Sequence, residues 1–172
     1  MCLAIKLKHY TCKSIMQRKA LLTIIFSVIE RQLTAINLHL EISEFKNLQM
    51  ITQDTFSLIA RILVSLRVTD CPLLHSIEPS KDFPAPSLSK LTSVKFMNLN
   101  SLTETNFLNS QFRSRNGNRT IEVWLEANAD LKSLGLRRPL DLNAGEKIDL
   151  ILLDNPKLDS GFDLCFWKGY LR

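Results

Sequence analysis

Residues 116–126 have the sequence NGNRTIEVWLE, and the expected fold is built outward from this stretch. Its opening Asn-Gly pair accepts positive φ at both positions, which predicts a tight hairpin turn. The residues after it alternate between polar and apolar side chains, as in a strand with one buried face. Ile121, Val123 and Leu125 share the apolar face. The stretch therefore predicts an antiparallel hairpin.

Other stretches of the chain also predict strands. Residues 36–43 alternate strictly, with Ile36, Leu38, Leu40 and Ile42 expected to point inward. Further candidate strands are 93–99, 106–113, 147–153 and 162–171. Separated by turn signals, these segments predict a meander of antiparallel strands in the C-terminal half.

Two segments of the N-terminal half have helical periodicity. Residues 17–34 and 53–67 carry apolar side chains at three- and four-residue spacing. Residues 1–71 contain neither glycine nor proline, which also favours regular structure there. The expected fold class is therefore α+β, with N-terminal helices packed on a mainly antiparallel β-sheet formed largely by the C-terminal half. No internal repeat is evident.

The domain organisation follows from length and from the placement of proline. A chain of 172 residues suits one domain, or one domain with an appendage. Residues 1–16 are interpreted as a basic N-terminal arm or leader, and 17–172 as a single α+β domain. Residues 72–92 hold four of the six prolines and four serines, so they are expected to form a surface connection inside that domain.

The net charge of +5 belongs to the segment 1–29. That segment has five cations and no acid, and the rest of the chain has as many basic as acidic side chains. A basic stretch followed by an apolar run suits an amphipathic helix, a targeting segment or a helix that contacts a membrane surface, and these alternatives stay open. Organelle targeting by this segment is one of them.

Cysteine spacing indicates free thiols. Cys2, Cys12, Cys71 and Cys165 form no CxxC pair and match no zinc pattern. The expected location is therefore intracellular, in a reducing compartment. Neither a metal site nor a cofactor is predicted, because no phosphate-binding loop, dinucleotide fingerprint or zinc-protease motif occurs.

The candidate binding residues are arginines and tryptophans. Arg113, Arg115 and Arg119 flank Asn116 at the expected hairpin tip, where guanidinium groups could meet phosphates or carboxylates. The further candidates are Arg137, Arg138, Trp124 and Trp167, the two tryptophans being expected near strand edges as an exposed patch or as packed core.

Three classes of function are consistent with these observations. The preferred one is a non-catalytic binding or assembly subunit of a larger complex, with a protein partner or a second copy of the chain. It rests on the missing catalytic motifs and on the abundance of leucine. The first alternative is nucleic-acid binding through the basic arm and the 113–119 hairpin. The second is a small enzyme without a local signature, with Cys71, His75 or His39 in a pocket.

Overall fold

The computed structural model describes residues 2–8, 37–51, 59–77, 88–105, 119–134 and 146–158. All eight elements in these ranges are strands. They are β1 (Cys2–Lys8), β2 (Asn37–Ser43), β3 (Met50–Ile51), β4 (Leu63–Thr69), β5 (Ser76–Ile77), β6 (Ser93–Met97), β7 (Thr120–Glu126) and β8 (Lys147–Leu153).

Six of these strands form one parallel sheet in the order β1-β2-β4-β6-β7-β8. Every pairing between neighbours in it is parallel. The expected α+β class with an antiparallel sheet is therefore wrong. Alternation reveals which side chains of a strand are buried, but it is the same for both strand directions. Direction depends on the connections. From β2 onward these are 44–62, 70–92, 98–119 and 127–146, and each is long enough for the crossover that parallel strands require.

The described sheet has a structural repeat that the sequence analysis missed. Leu40, Leu66, Val94, Val123 and Leu150 occupy one register row across five strands. They follow one another along the chain at nearly constant spacing. Because that spacing drifts slightly from one repeat to the next, a search for one fixed period does not detect it. We call each strand of the row with its following turn a repeat.

The same turn follows the strand in all five repeats. The residue four positions after the row residue has positive φ each time, and these residues are Glu44, Asp70, Asn98, Ala127 and Asp154. One position later a carbonyl accepts a hydrogen bond from the N–H three residues on, at 3.0 to 3.3 Å. Asn and Asp tolerate this left-handed backbone, whereas Glu44 and Ala127 adopt it at some cost.

A second, narrow ladder runs beside these turns. β3 pairs in parallel with β5, and Glu104 forms an isolated parallel bridge with Ser133. The apolar core is continuous from Leu38 in β2 to Ile148 in β8, and Phe96 is its bulkiest fully buried side chain. Stacking thus buries a stripe of apolar side chains that a single repeat could not bury alone.

The remaining fold predictions have mixed outcomes. The strands expected at 36–43, 93–99, 120–126 and 147–153 are confirmed by β2, β6, β7 and β8. The helix expected at 53–67 is wrong at its end, because Leu63–Thr69 is β4. The helical spacing of the apolar residues does not decide the structure here, because β4 pairs with β2 on one side and with β6 on the other.

Several predicted elements lie outside the described residues. They are the helix at 17–34, the strands at 106–113 and 162–171, and the hairpin turn at Asn116. Residues 2–8 of the expected basic arm form edge strand β1. At the two ends of the 72–92 connection, Leu74, Ile77, Leu88 and Leu91 are fully buried. Within the described ranges, no helix has the length and apolar character needed to cross a membrane.

Candidate functional site on the outward face of the sheet

Alternate residues of the large sheet point away from the core and form what we call the outward face. They share partial exposure while their sequence neighbours are buried. From β2 to β8 the face includes His39, Glu41, Ser65, Arg67, Ser93, Lys95, Met97, Glu122, Trp124, Glu126, Asp149, Ile151 and Leu153. Parallel pairing places them in rows, so residues distant in sequence become neighbours.

Trp124 lies at the centre of the β6–β8 part of this face. The register places it between Lys95 of β6 and Ile151 of β8. Lys95 Nζ lies 4.7 Å from the centroid of the Trp124 ring, within the range of a cation–π contact. The indole Nε1–H donates to Glu126 Oε2 at 2.8 Å. Both contacts orient the ring, so a large aromatic side chain is held on a partly exposed surface.

Carboxylates lie on both sides of Trp124 along the strand. Glu122 pairs with Lys95, with an Oε1 to Nζ distance of 2.6 Å. That oxygen is covered but accepts no well-aligned hydrogen bond, so the contact is mainly Coulombic. Asp149 is the register neighbour of Glu122 and is half-buried. Among the described residues, Asp149 forms neither an ion pair nor a side-chain hydrogen bond.

Apolar side chains complete the β6–β8 part of the face. Ile151 and Met97 are half-buried, and Leu153 is 43% exposed. Leu153 is the register neighbour of Glu126, so the row beyond Trp124 combines a carboxylate with exposed apolar surface. The β6–β8 part of the face therefore combines aromatic, aliphatic and acidic side chains.

The β1–β4 part of the face is polar and internally paired. Lys6 Nζ lies 3.0 Å from Glu41 Oε2, and Arg67 contacts the Met97 sulfur at 4.0 Å. His39 Nδ1 lies 2.8 Å from Ser65 Oγ. Within the described ranges, no other residue bonds to the His39 ring.

Arg119 does not project from the sheet. It directly precedes β7 and forms a salt bridge to Glu146, which precedes β8, at 3.1 Å from Nη2 to Oε1. It also donates from Nη1 to the Leu88 carbonyl at 3.1 Å. Its side chain is 9% exposed and that of Glu146 is 0% exposed. Burial lowers the pKa of the Arg119 guanidinium, an effect that Glu146 opposes. Arg119 therefore links three segments of the stack.

The other sequence-predicted site residues divide into two groups. Trp124 lies on the outward face, as described above. The remaining six lie outside the described residues and are Arg113, Arg115, Asn116, Arg137, Arg138 and Trp167. Lys95, Asp149 and Leu153 are not predicted from the sequence as neighbours of Trp124, because only the register brings them to it.

The proposed thiol and histidine pair has unfavourable surroundings for catalysis. Cys71 is fully buried and donates to the Thr69 carbonyl at 3.3 Å. Burial raises the pKa of its thiol from 9.0 to about 11, which suppresses the nucleophilic thiolate. His75 is exposed. The described ranges contain no group of three or more His, Cys, Asp or Glu residues that could hold a metal ion.

The described geometry defines a class of architecture, which is a solenoid of stacked repeats. Its repeats recur at nearly constant spacing, and one of them has the apolar pattern Leu63-x-x-Leu66-x-Val68-x-x-Cys71. Comparison with protein-family models, with curated proteins and with solved structures found no match to this chain.

Proposed function

We propose that the protein is a non-catalytic binding module that engages a protein partner through the outward face of its parallel sheet. The observation that carries the proposal is the surface around Trp124, where the ring is fixed by Lys95 and Glu126 and adjoins Ile151. Tryptophan held beside aliphatic side chains is the kind of residue that dominates binding energy at protein interfaces.

The architecture supports the same proposal. Stacked repeats generate an extended surface in which each strand contributes a few side chains, and solenoid proteins commonly bind through such surfaces. Six strands at about 4.8 Å spacing span about 24 Å, and seven residues span about 23 Å along a strand. This face covers about 550 Å², less than the ~800 Å² that each partner buries in a standard interface. A segment of a partner therefore fits the face better than a second globular domain.

Site-specific photocrosslinking tests the proposal. A photoreactive phenylalanine analogue replaces Ile151 on the outward face, and the matched control carries it at Asp130, in the turn after β7. Irradiation of the full chain in its native cells should give discrete protein adducts from position 151 and few from position 130. Equal adduct patterns at both positions, or none at position 151 in a folded protein, would contradict the proposal.

A further inference from the structure

We infer that the partner segment is extended and cationic, with two Lys or Arg side chains flanking an apolar residue that packs on Trp124 and Ile151. This inference rests on the proposed function and specifies the chemistry of the partner. The determining observation is a pair of carboxylates, Glu126 and Asp149, which have no cationic partner among the described residues and lie on either side of an apolar centre.

The acidic side chains of β7 and β8 outnumber their cationic partners among the described residues. Among the described residues Asp149 has no ion-pair or side-chain hydrogen-bond partner, and Glu126 accepts its side-chain hydrogen bond from the neutral indole N–H of Trp124. Glu122 pairs with Lys95, which leaves the other two carboxylates without a described cation. Unpaired carboxylates on a half-buried surface favour a ligand that supplies positive charge, and they repel phosphate groups.

The distance between Asp149 and Glu126 sets the spacing expected for the partner's cationic side chains. Asp149 lies in the register row of Glu122, whereas Glu126 lies four residues further along β7. Four residues of a strand span about 13 Å, so the two unpaired carboxylates are separated by about that distance along the strands. In an extended segment, side chains on one face at positions one and five have the same separation. Position three would then lie over Trp124 and Ile151.

The Trp124 ring already takes part in one contact with a cation. Lys95 already places an ammonium group over Trp124 while pairing with Glu122. Lys95 is therefore a cation that contacts both a carboxylate and an indole ring. We infer the same arrangement for a cationic side chain of the partner. An incoming Arg or Lys beside Glu126 would repeat that arrangement at the other end of the ring.

The test uses the full chain and a defined peptide. The probe is acetyl-Ser-Arg-Ser-Leu-Ser-Arg-Ser-amide, and the charge-reversed control has Glu in place of both Arg residues. Binding is followed by NMR through the indole N–H signals of the two tryptophans, with that of Trp124 assigned by Trp124→Phe. Two exposed ion pairs predict that the Arg peptide binds about tenfold more tightly than the Glu peptide, with a difference that shrinks at high salt.

Variants locate the binding site. Asp149→Asn combined with Glu126→Gln should weaken binding of the Arg peptide about tenfold. Asp130→Asn removes a carboxylate from the turn after β7 and should leave binding unchanged. Equal binding of both peptides, or an unchanged affinity in the double variant with its circular dichroism intact, overturns the inference. If position 151 still crosslinks a partner, the proposed function survives that result, and if it does not, both fail.

Discussion

Asn155 Oδ1 lies 3.0 Å from Asn128 Nδ2, and this contact joins equivalent positions of two neighbouring repeats. Asn128 is fully buried. Its Nδ2 also donates to the Phe96 carbonyl at 3.0 Å, and its Oδ1 accepts from the Leu99 N–H at 3.1 Å. Asn128 thus provides hydrogen-bond partners for two backbone groups of the preceding repeat.

Replacing Asn128 with alanine should therefore destabilise the protein by about 2–4 kcal/mol, because the buried Leu99 N–H and Phe96 carbonyl both lose a partner. Urea denaturation monitored by circular dichroism measures the change. Asn100→Ala is the matched control, since Asn100 is exposed and is not one of the described residues with positive φ. A loss below about 1 kcal/mol for Asn128→Ala would contradict this role.

The Arg119–Glu146 pair is expected to behave as a buried ion pair. Arg119→Met or Glu146→Leu alone should cost about 3–5 kcal/mol, since each leaves a charge without its partner. The double variant Arg119→Met with Glu146→Leu should cost less than the sum of the single changes. Denaturant midpoints of the three variants provide the test, and strict additivity would show that the pair is not coupled.

The exposed Lys95–Glu122 pair should contribute far less. Lys95→Gln is expected to lower the free energy of unfolding by less than about 1 kcal/mol, because solvent screens the pair and both side chains are partly exposed. It should nevertheless shift the indole signal of Trp124, since the ammonium group above the ring is removed. An unchanged indole signal would refute the cation–π contact in solution.

Cys71 should react slowly in the folded protein. A thiol with a pKa of about 11 is about 100-fold less ionised at pH 8 than one with a pKa of 9.0. Alkylation of Cys71, followed by peptide mass spectrometry, should therefore be at least about 100-fold slower in buffer than in urea. Exposed Cys2 provides the internal control, because unfolding should change its rate little. Similar rates for Cys71 in both conditions would exclude its burial.

The same thiol predicts a pH dependence of stability. Its pKa is raised in the folded state, so between about pH 9 and pH 11 the unfolded chain releases a proton that the folded chain retains. The free energy of unfolding should therefore fall as pH rises through this window. Cys71→Ala should have a shallower slope there. Parallel slopes for the two proteins would show that the thiol does not contribute.

The chain's own pattern was sufficient for four strands and for the buried faces of two of them, β2 and β7. Strict alternation around Leu40 and Val123 reports burial directly, because side chains on a strand alternate between its two faces. Around Leu66 the apolar spacing predicts a helix, but the structure has strand β4 there. This strand is stabilised by parallel partners on both sides, which no local pattern contains.

The candidate site depends even more on tertiary structure. The sequence alone determined that Trp124 lies on the polar face of a strand, between Glu122 and Glu126. Only the parallel register decided that Lys95 and Ile151 are its neighbours, although both are distant from it along the chain. The physical reason is that alternation along a strand determines which face of the sheet a side chain points to. The crossover connections determine which strand lies next to it, and therefore which side chains are its neighbours.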